Sequence, residues 1–237
     1  MNKPFLYSKL AVKNFLKRPS LTQAWMLVKY YSAWKRNAEP GRSPIADAQP
    51  WICFGAIDFL EQKANAQMTL FEYGSGGSTL FWALRVAKVY SIEHDEDWYQ
   101  QMLKELADRN IKNTQYIAAF PETDSSFESK DFRRPQDCIS KSRKYVNMKF
   151  DTYVKTIESF PDSSFDIIVV DGRARNSCIY YSVPKLKTGG LLVVDNTERE
   201  YYLKPFEFKK EEWTKWVFSG PVPYSYSFSE TTIFQKK

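Results

Sequence analysis

One stretch constrains the fold of this chain more than any other: Phe71-Glu72-Tyr73-Gly74-Ser75-Gly76-Gly77-Ser78-Thr79-Leu80. An apolar run stops at a cluster of glycines, and a helical pattern follows at once. Such a turn lets backbone approach a ligand and aims the free N–H groups of a helix start at it. From residue 68 the hydrophobic pattern then alternates. Strands are predicted over 68–73, 89–92, 114–118, 165–170 and 191–194, and helices over 78–86, 95–109 and 178–186. Strands alternating with helices mean a parallel sheet covered on both faces, an α/β doubly wound fold. The tail departs from this pattern. Residues 216–218 and 224–234 flank a Gly-Pro-rich turn and read as a hairpin, which makes the last strand antiparallel.

Aromatic residues make up 16% of the 237, too apolar a composition for a disordered chain. The net charge of +6 is unevenly spread. Residues 1–42 carry nine Lys and Arg against Glu39 alone, which leaves residues 43–237 at −2. This disfavours a broad basic face for duplex nucleic acid. It places any attraction to an anionic partner at the N-terminus. Residues 5–17 and 21–36 are predicted as helices around Arg18-Pro19-Ser20. In the second, Leu21, Ala24, Trp25, Leu27, Val28, Tyr31 and Trp34 share one broad arc. Two readings stand, a helix packed on the main body and a basic amphipathic helix that covers a substrate or lies in peripheral contact with an anionic membrane.

Cys53, Cys138 and Cys178 are odd in number and widely spaced, without a CxxC pair. They predict neither a disulfide framework nor a zinc cluster, and a reducing, cytoplasmic address is expected. No apolar run reaches a membrane-spanning length. Residues 37–50 hold three prolines and read as a linker, with a helix expected from Pro50 to about Gln62. The expected division is therefore a basic helical extension and linker over 1–49 and an α/β domain over 50–237. Residues 120–149 are polar and poor in regular pattern. They read either as a functional loop or as a mobile surface insertion.

The candidate chemistry sits at strand ends. Gly74, Ser75, Gly76 and Ser78 form the glycine turn, Glu72 stands two residues ahead of it, and Glu93 ends the second strand with His94 beside it. An acid at the position of Glu93 accepts hydrogen bonds from the hydroxyls of a ribose. His94, the only histidine, is expected to shape that pocket. Trp98 and Tyr99 read as core, and Cys178 as an inert buried thiol.

With these residues in order, the chain resembles the class I S-adenosylmethionine-dependent methyltransferases over roughly residues 50–235. The likeness rests on Glu72-x-Gly74-x-Gly76-x-Ser78, on Glu93, on 165–171, and on Gly189-Gly190-Leu-Leu-Val-Val-Asp195. A dinucleotide enzyme's GxGxxG would need glycine where Thr79 stands. The resemblance implies a seven-stranded sheet whose last strand is antiparallel. It also implies S-adenosylmethionine as cofactor, the methionine part near Gly74 and Gly76, the ribose on Glu93, and adenine near residues 119–124.

The fourth strand ends Asp171-Gly172-Arg173-Ala174-Arg175-Asn176, without the Pro-Pro-aromatic motif of adenine-methylating enzymes. Asp171, Asp195 and Asn196 are similar in placement to the magnesium ligands of catechol-type O-methyltransferases, so Mg2+ is a candidate second cofactor. The other reading has Asp171 on the cofactor amine or acting as general base, with Asp195-Asn196 in a plain turn. Arg173 and Arg175 are placed at the substrate entrance, where guanidinium groups would hold an anionic group. Asp171 and Arg173 are thus the catalytic candidates. The expected reaction is methyl transfer to an oxygen of a small or carrier-linked, sugar-like acceptor. A sugar-nucleotide enzyme on a related sheet and a non-catalytic scaffold are the competing readings.

Overall fold

The computed structural model describes residues 3–37 and 39–237. Five helices precede the first strand: α1 (Lys3–Lys17), α2 (Leu21–Lys29), α3 (Tyr31–Asn37), α4 (Pro44–Asp47) and α5 (Phe54–Lys63). The sheet strands are β1 (Thr69–Tyr73), β2 (Lys88–Glu93), β3 (Thr114–Ala118), β4 (Phe165–Val170), β5 (Leu186–Asp195), β6 (Trp213–Pro221) and β7 (Phe228–Lys236). Helices α6 (Gly77–Ala83), α7 (Glu96–Asp108), α8 (Asp151–Lys155) and α9 (Arg175–Ser182) lie between them. The strand order is β3-β2-β1-β4-β5-β7-β6. Strands β1 to β5 pair in parallel, and β7 runs antiparallel to both neighbours. The expected fold class is the one observed.

The central strands are apolar on both sides because both sides are covered. Along β4, Ile168 and Val170 enter one core with Phe71, Tyr73, Tyr153 and Phe165. Ile167 and Val169 enter the other, with Leu70, Phe81, Trp82 and Leu191. The N-terminal helices contribute Tyr7, Tyr30 and the fully buried Trp34 to this second core. Tyr7 donates to the Leu27 carbonyl at 2.6 Å, and Gln23 Nε2 donates to the Ser219 carbonyl at 2.8 Å, which ties α1 and α2 to β6.

Three local expectations need correction. The helix predicted over 21–36 breaks at Tyr30, whose ring stacks on Phe54 and whose hydroxyl donates to Asp58 at 2.8 Å. The helix expected from Pro50 begins at Phe54, because the Cys53 N–H donates to Thr231 Oγ1 at 3.2 Å and holds the preceding residues on the sheet. Residues 120–149 are anchored. Glu122–Thr123 pairs with Met148–Lys149, and Cys138, Ile139 and Tyr145 are buried.

Candidate functional site

The sheet reverses its winding between β1 and β4, and ligands in such sheets bind at the carboxyl ends of the strands beside that point. Here β1 runs into the glycine turn. Gly74 has φ +92°, and a Cβ there would stand 2.8 Å from the Gly172 backbone. Two chain segments therefore cross at van der Waals contact, an arrangement only glycine permits. The Gly76 N–H is capped by Thr79 Oγ1 at 3.1 Å.

Beyond the turn lies a cavity of about 480 Å³ lined by residues 74–78, Glu93, His94, Trp98, Lys144, Tyr145, Asp171 and Arg173 among others. Glu93 anchors it. Its Oε2 accepts from the Ser75 N–H and hydroxyl, both at 2.9 Å, and its Oε1 from the His94 and Asp95 N–H groups at 2.8 and 2.9 Å. Burial works against its charge, but the His94 ring and these N–H donors hold the carboxyl below the usual range. His94 Nδ1 lies 2.8 Å from Glu93 Oε1, and its ring meets Tyr145 edge to face. Glu72 differs in position. It is fully buried beneath the turn, where Oε2 accepts from Thr79 at 2.6 Å and Ser91 at 2.7 Å while Oε1 has no partner. Burial pushes its carboxyl up to about 7.

Several wall residues lay outside the candidates read from sequence. Trp98 donates its ring N–H to the Ser75 carbonyl at 2.9 Å. Lys144 pairs with Asp95 at 2.6 Å, which brings the 120–149 segment over the cavity. The segment 119–124 does not line this cavity. Its Asp124 pairs with Lys130 at 2.8 Å instead.

A second cavity of about 350 Å³ opens on the other side of Asp171. Asp195, Asn196, Glu198, Arg199, Ser225 and Ser229 line it, and Asp171 and Trp51 line both cavities. No sequence motif marked Trp51 or the serines.

Arg175 is not at the entrance. It is buried, and its guanidinium laces two strand ends together. Nε donates to the Gly172 carbonyl at 3.0 Å, Nη2 to the Asp171 carbonyl and Oδ1 at 2.8 and 2.9 Å, and Nη1 to the Asp195 carbonyl. Arg173 stays on the wall of the first cavity, part-exposed. Burial raises the Asp171 carboxyl, against the pull of Arg175 and Arg173. Asp195 is pushed up to about 8 by burial and by the Asp171 charge.

The profile of a family described as a methyltransferase domain matches residues 71–197, more than half of the chain. The chain belongs to this family of methyltransferases. No curated protein matches it by sequence. Among solved structures, a protein from Streptococcus mutans assigned as a methyltransferase, in complex with SAH, is similar at 16% identity and TM-score 0.51. The match covers 76% of this methyltransferase and 94% of that chain. A methyltransferase from Geobacter sulfurreducens gives 12% identity and TM-score 0.52 over 88% and 96% of the two chains. A protein from Staphylococcus aureus assigned as a caffeoyl-CoA O-methyltransferase gives 13% and 0.51 over 100% and 99%. These likenesses are likenesses of fold.

The residues of the methyltransferase fit S-adenosylmethionine. The Gly74 crossing leaves backbone facing the cavity and Glu93 stands at its wall, whereas Glu72, expected among the cofactor residues, lies beneath the turn and outside the cavity lining. They do not fit magnesium, which corrects the expectation for Asp171, Asp195 and Asn196. Arg175 already neutralises Asp171 at 2.9 Å. Asp195 Oδ1 accepts from Thr231 and Oδ2 from the Asn196 amide, both at 2.6 Å. Among the described residues no group of three or more His, Cys, Asp or Glu is arranged to hold a metal, and no helix is long and apolar enough to cross a membrane.

Proposed function

We propose that this methyltransferase moves a methyl group from S-adenosylmethionine to a hydroxyl oxygen of a small or carrier-linked acceptor, without a metal. The observation that carries the reading is the position of Asp171, which lines the cofactor cavity and its neighbour at once. When bound, S-adenosylmethionine supplies the methyl group as a sulfonium electrophile. Glu93 holds a ribose by accepting from its hydroxyls. The Ser75 hydroxyl also bonds Tyr116 at 2.7 Å, so it is the donor that can turn away from Glu93.

The second cavity suits a hydroxylated acceptor. Asn196, Ser225 and Ser229 offer donors and acceptors, and Trp51, half exposed, offers a flat apolar face. Arg175 is spent on Asp171 at 2.9 Å, and Arg199 faces Glu198 at 3.8 Å. This favours a neutral polar acceptor over the anionic one expected from Arg173 and Arg175.

Asp171 Oδ1 is tied to Arg175, which leaves Oδ2 to take the proton of the acceptor hydroxyl as its oxygen attacks in line. Its raised pKa brings its basicity closer to neutral pH. The remaining contribution is positional, because holding the two reactants in contact removes most of the entropy cost of their meeting. Calorimetry with S-adenosylhomocysteine tests the cofactor half. One binding site is expected, and no heat of binding by the intact protein overturns the reading.

A further inference from the structure

Helices α1 and α2 form an antiparallel pair. Tyr7 meets Leu27 near one end, and Asn14 meets Gln23 near the other. Each buries one side and exposes a second apolar ridge on the opposite side. In α1 the ridge is Val12 and Leu16, 61% and 73% exposed. In α2 it is Leu21, Trp25 and Val28, 91%, 59% and 79% exposed. At 100° per residue, 21, 25 and 28 fall within one narrow strip, opposite the buried Gln23 and Leu27. Among the described residues these large apolar side chains join no core cluster, and they lie where a surface helix normally carries polar residues.

Among the described residues the unpaired charge of the first 42 positions is of one sign. Four of the nine cations in residues 1–42 are paired within the protein: Lys3 with Glu39, Arg18 with Glu230, Lys29 with Asp58 and Arg42 with Asp47. Lys9, Lys13, Lys17, Lys35 and Arg36 are exposed and form no ion pair among the described residues. Lys9, Lys13 and Lys17 make a row along α1 at four-residue spacing beside the Val12–Leu16 ridge. An apolar ridge flanked by unpaired cations matches the interface of a bilayer with anionic headgroups: the ridge enters the headgroup–acyl boundary and the cations meet the surface charge.

The location gives this contact a use. A small cavity lined by Lys13, Asn14, Lys17 and Arg18 shares Glu198, Ser227 and Ser229 with the second cavity beside Asp171. We infer that α1 and α2 dock the methyltransferase on an anionic lipid surface, with the opening beside Asp171 next to that surface. The docking itself rests on the exposed ridges and their charge. Only its proximity to an acceptor rests on the function proposed above.

The test is co-sedimentation of the full chain with vesicles of phosphatidylcholine and phosphatidylglycerol at 7:3, and with phosphatidylcholine alone. Binding is expected to the anionic vesicles only, and to fall as salt rises. The variants Leu21→Ser/Val28→Ser and Lys9→Glu/Lys13→Glu are each expected to bind about tenfold more weakly or worse. Their S-adenosylhomocysteine affinity should stay unchanged, which confirms that they fold. Equal binding to both vesicle types, no binding by the parent chain, or undiminished binding by both variants overturns the inference. So does a concentration-dependent dimer that Leu21→Ser/Val28→Ser dissolves, since that assigns the ridges to a second copy.

Discussion

On the β1–β2 side of Asp171 the cavity is built on a backbone turn. Gly74 crosses Gly172 at contact distance, and Glu93 is held by three N–H groups and one hydroxyl. On the β5–β7 side it is made of side chains drawn from distant parts of the chain. Trp51, Asn196, Arg199 and Ser229 form the wall, and buried Arg175 braces the strand ends beneath it. A backbone cradle recognises a ligand that never changes, while a wall of separate side chains can be altered one residue at a time. The contrast teaches that the cofactor half and the acceptor half should fail independently when mutated.

The largest effect should come from the brace shared by both halves. Arg175→Ala leaves Asp171 without its counter-charge and the carbonyls of Asp171, Gly172 and Asp195 without their donor, and should cost about 3–5 kcal/mol in urea unfolding. A loss under about 1 kcal/mol would mean that the guanidinium is not the brace. Glu93→Ala comes next and touches the cofactor half alone. Losing charge-assisted hydrogen bonds should weaken S-adenosylhomocysteine by about 1.5–3 kcal/mol, roughly ten- to a hundredfold. Unchanged affinity would take the ribose off Glu93.

Beneath the glycine turn, Glu72 gives a pH signature. Its folded-state pKa is raised to about 7, so the native chain binds its proton more tightly than the unfolded chain does. The resulting stability is complete below the ordinary carboxylate range and is lost as pH rises through about 7. Without ligand, the parent chain should therefore lose on the order of 1–3 kcal/mol between pH 5 and pH 8 relative to Glu72→Gln. Parallel stability curves for the two proteins would contradict this. The smallest expected effect is none: excess chelator should leave methyl transfer unchanged, and a tenfold fall would restore the metal reading of Asp171, Asp195 and Asn196.

The two halves also differed in what their sequence disclosed. Strand β4 was readable to the residue, because a buried parallel strand is a nearly unbroken apolar run bounded by polar turns. The glycine turn and Glu93 were readable because their spacing is local. Arg175 misled, since Arg173 and Arg175 look alike in sequence. Rotation into the first turn of α9 turns one inward and leaves the other at the cavity wall. Of the acceptor wall, the strand-end residues Asp171, Asp195 and Asn196 were legible, but the side facing them was not: Asn196 meets Ser229 at 2.9 Å across 33 residues, and Trp51 arrives from before the first strand. Tyr145 and Lys144 hid in a segment with no periodicity, which is fixed by burial of Cys138 and Tyr145 and not by pattern.

The central claim is that two separable cavities meet at Asp171. Its most direct test is one paired measurement on Glu93→Ala and Arg199→Ala, which line one cavity each: S-adenosylhomocysteine affinity, and tritium transferred from methyl-labelled S-adenosylmethionine into an extract of the source cells. Glu93→Ala should lose affinity and transfer together at limiting cofactor, whereas Arg199→Ala should keep the affinity within about twofold and lose most of the transfer. Loss of affinity in both variants, or full transfer by Arg199→Ala, would contradict the account.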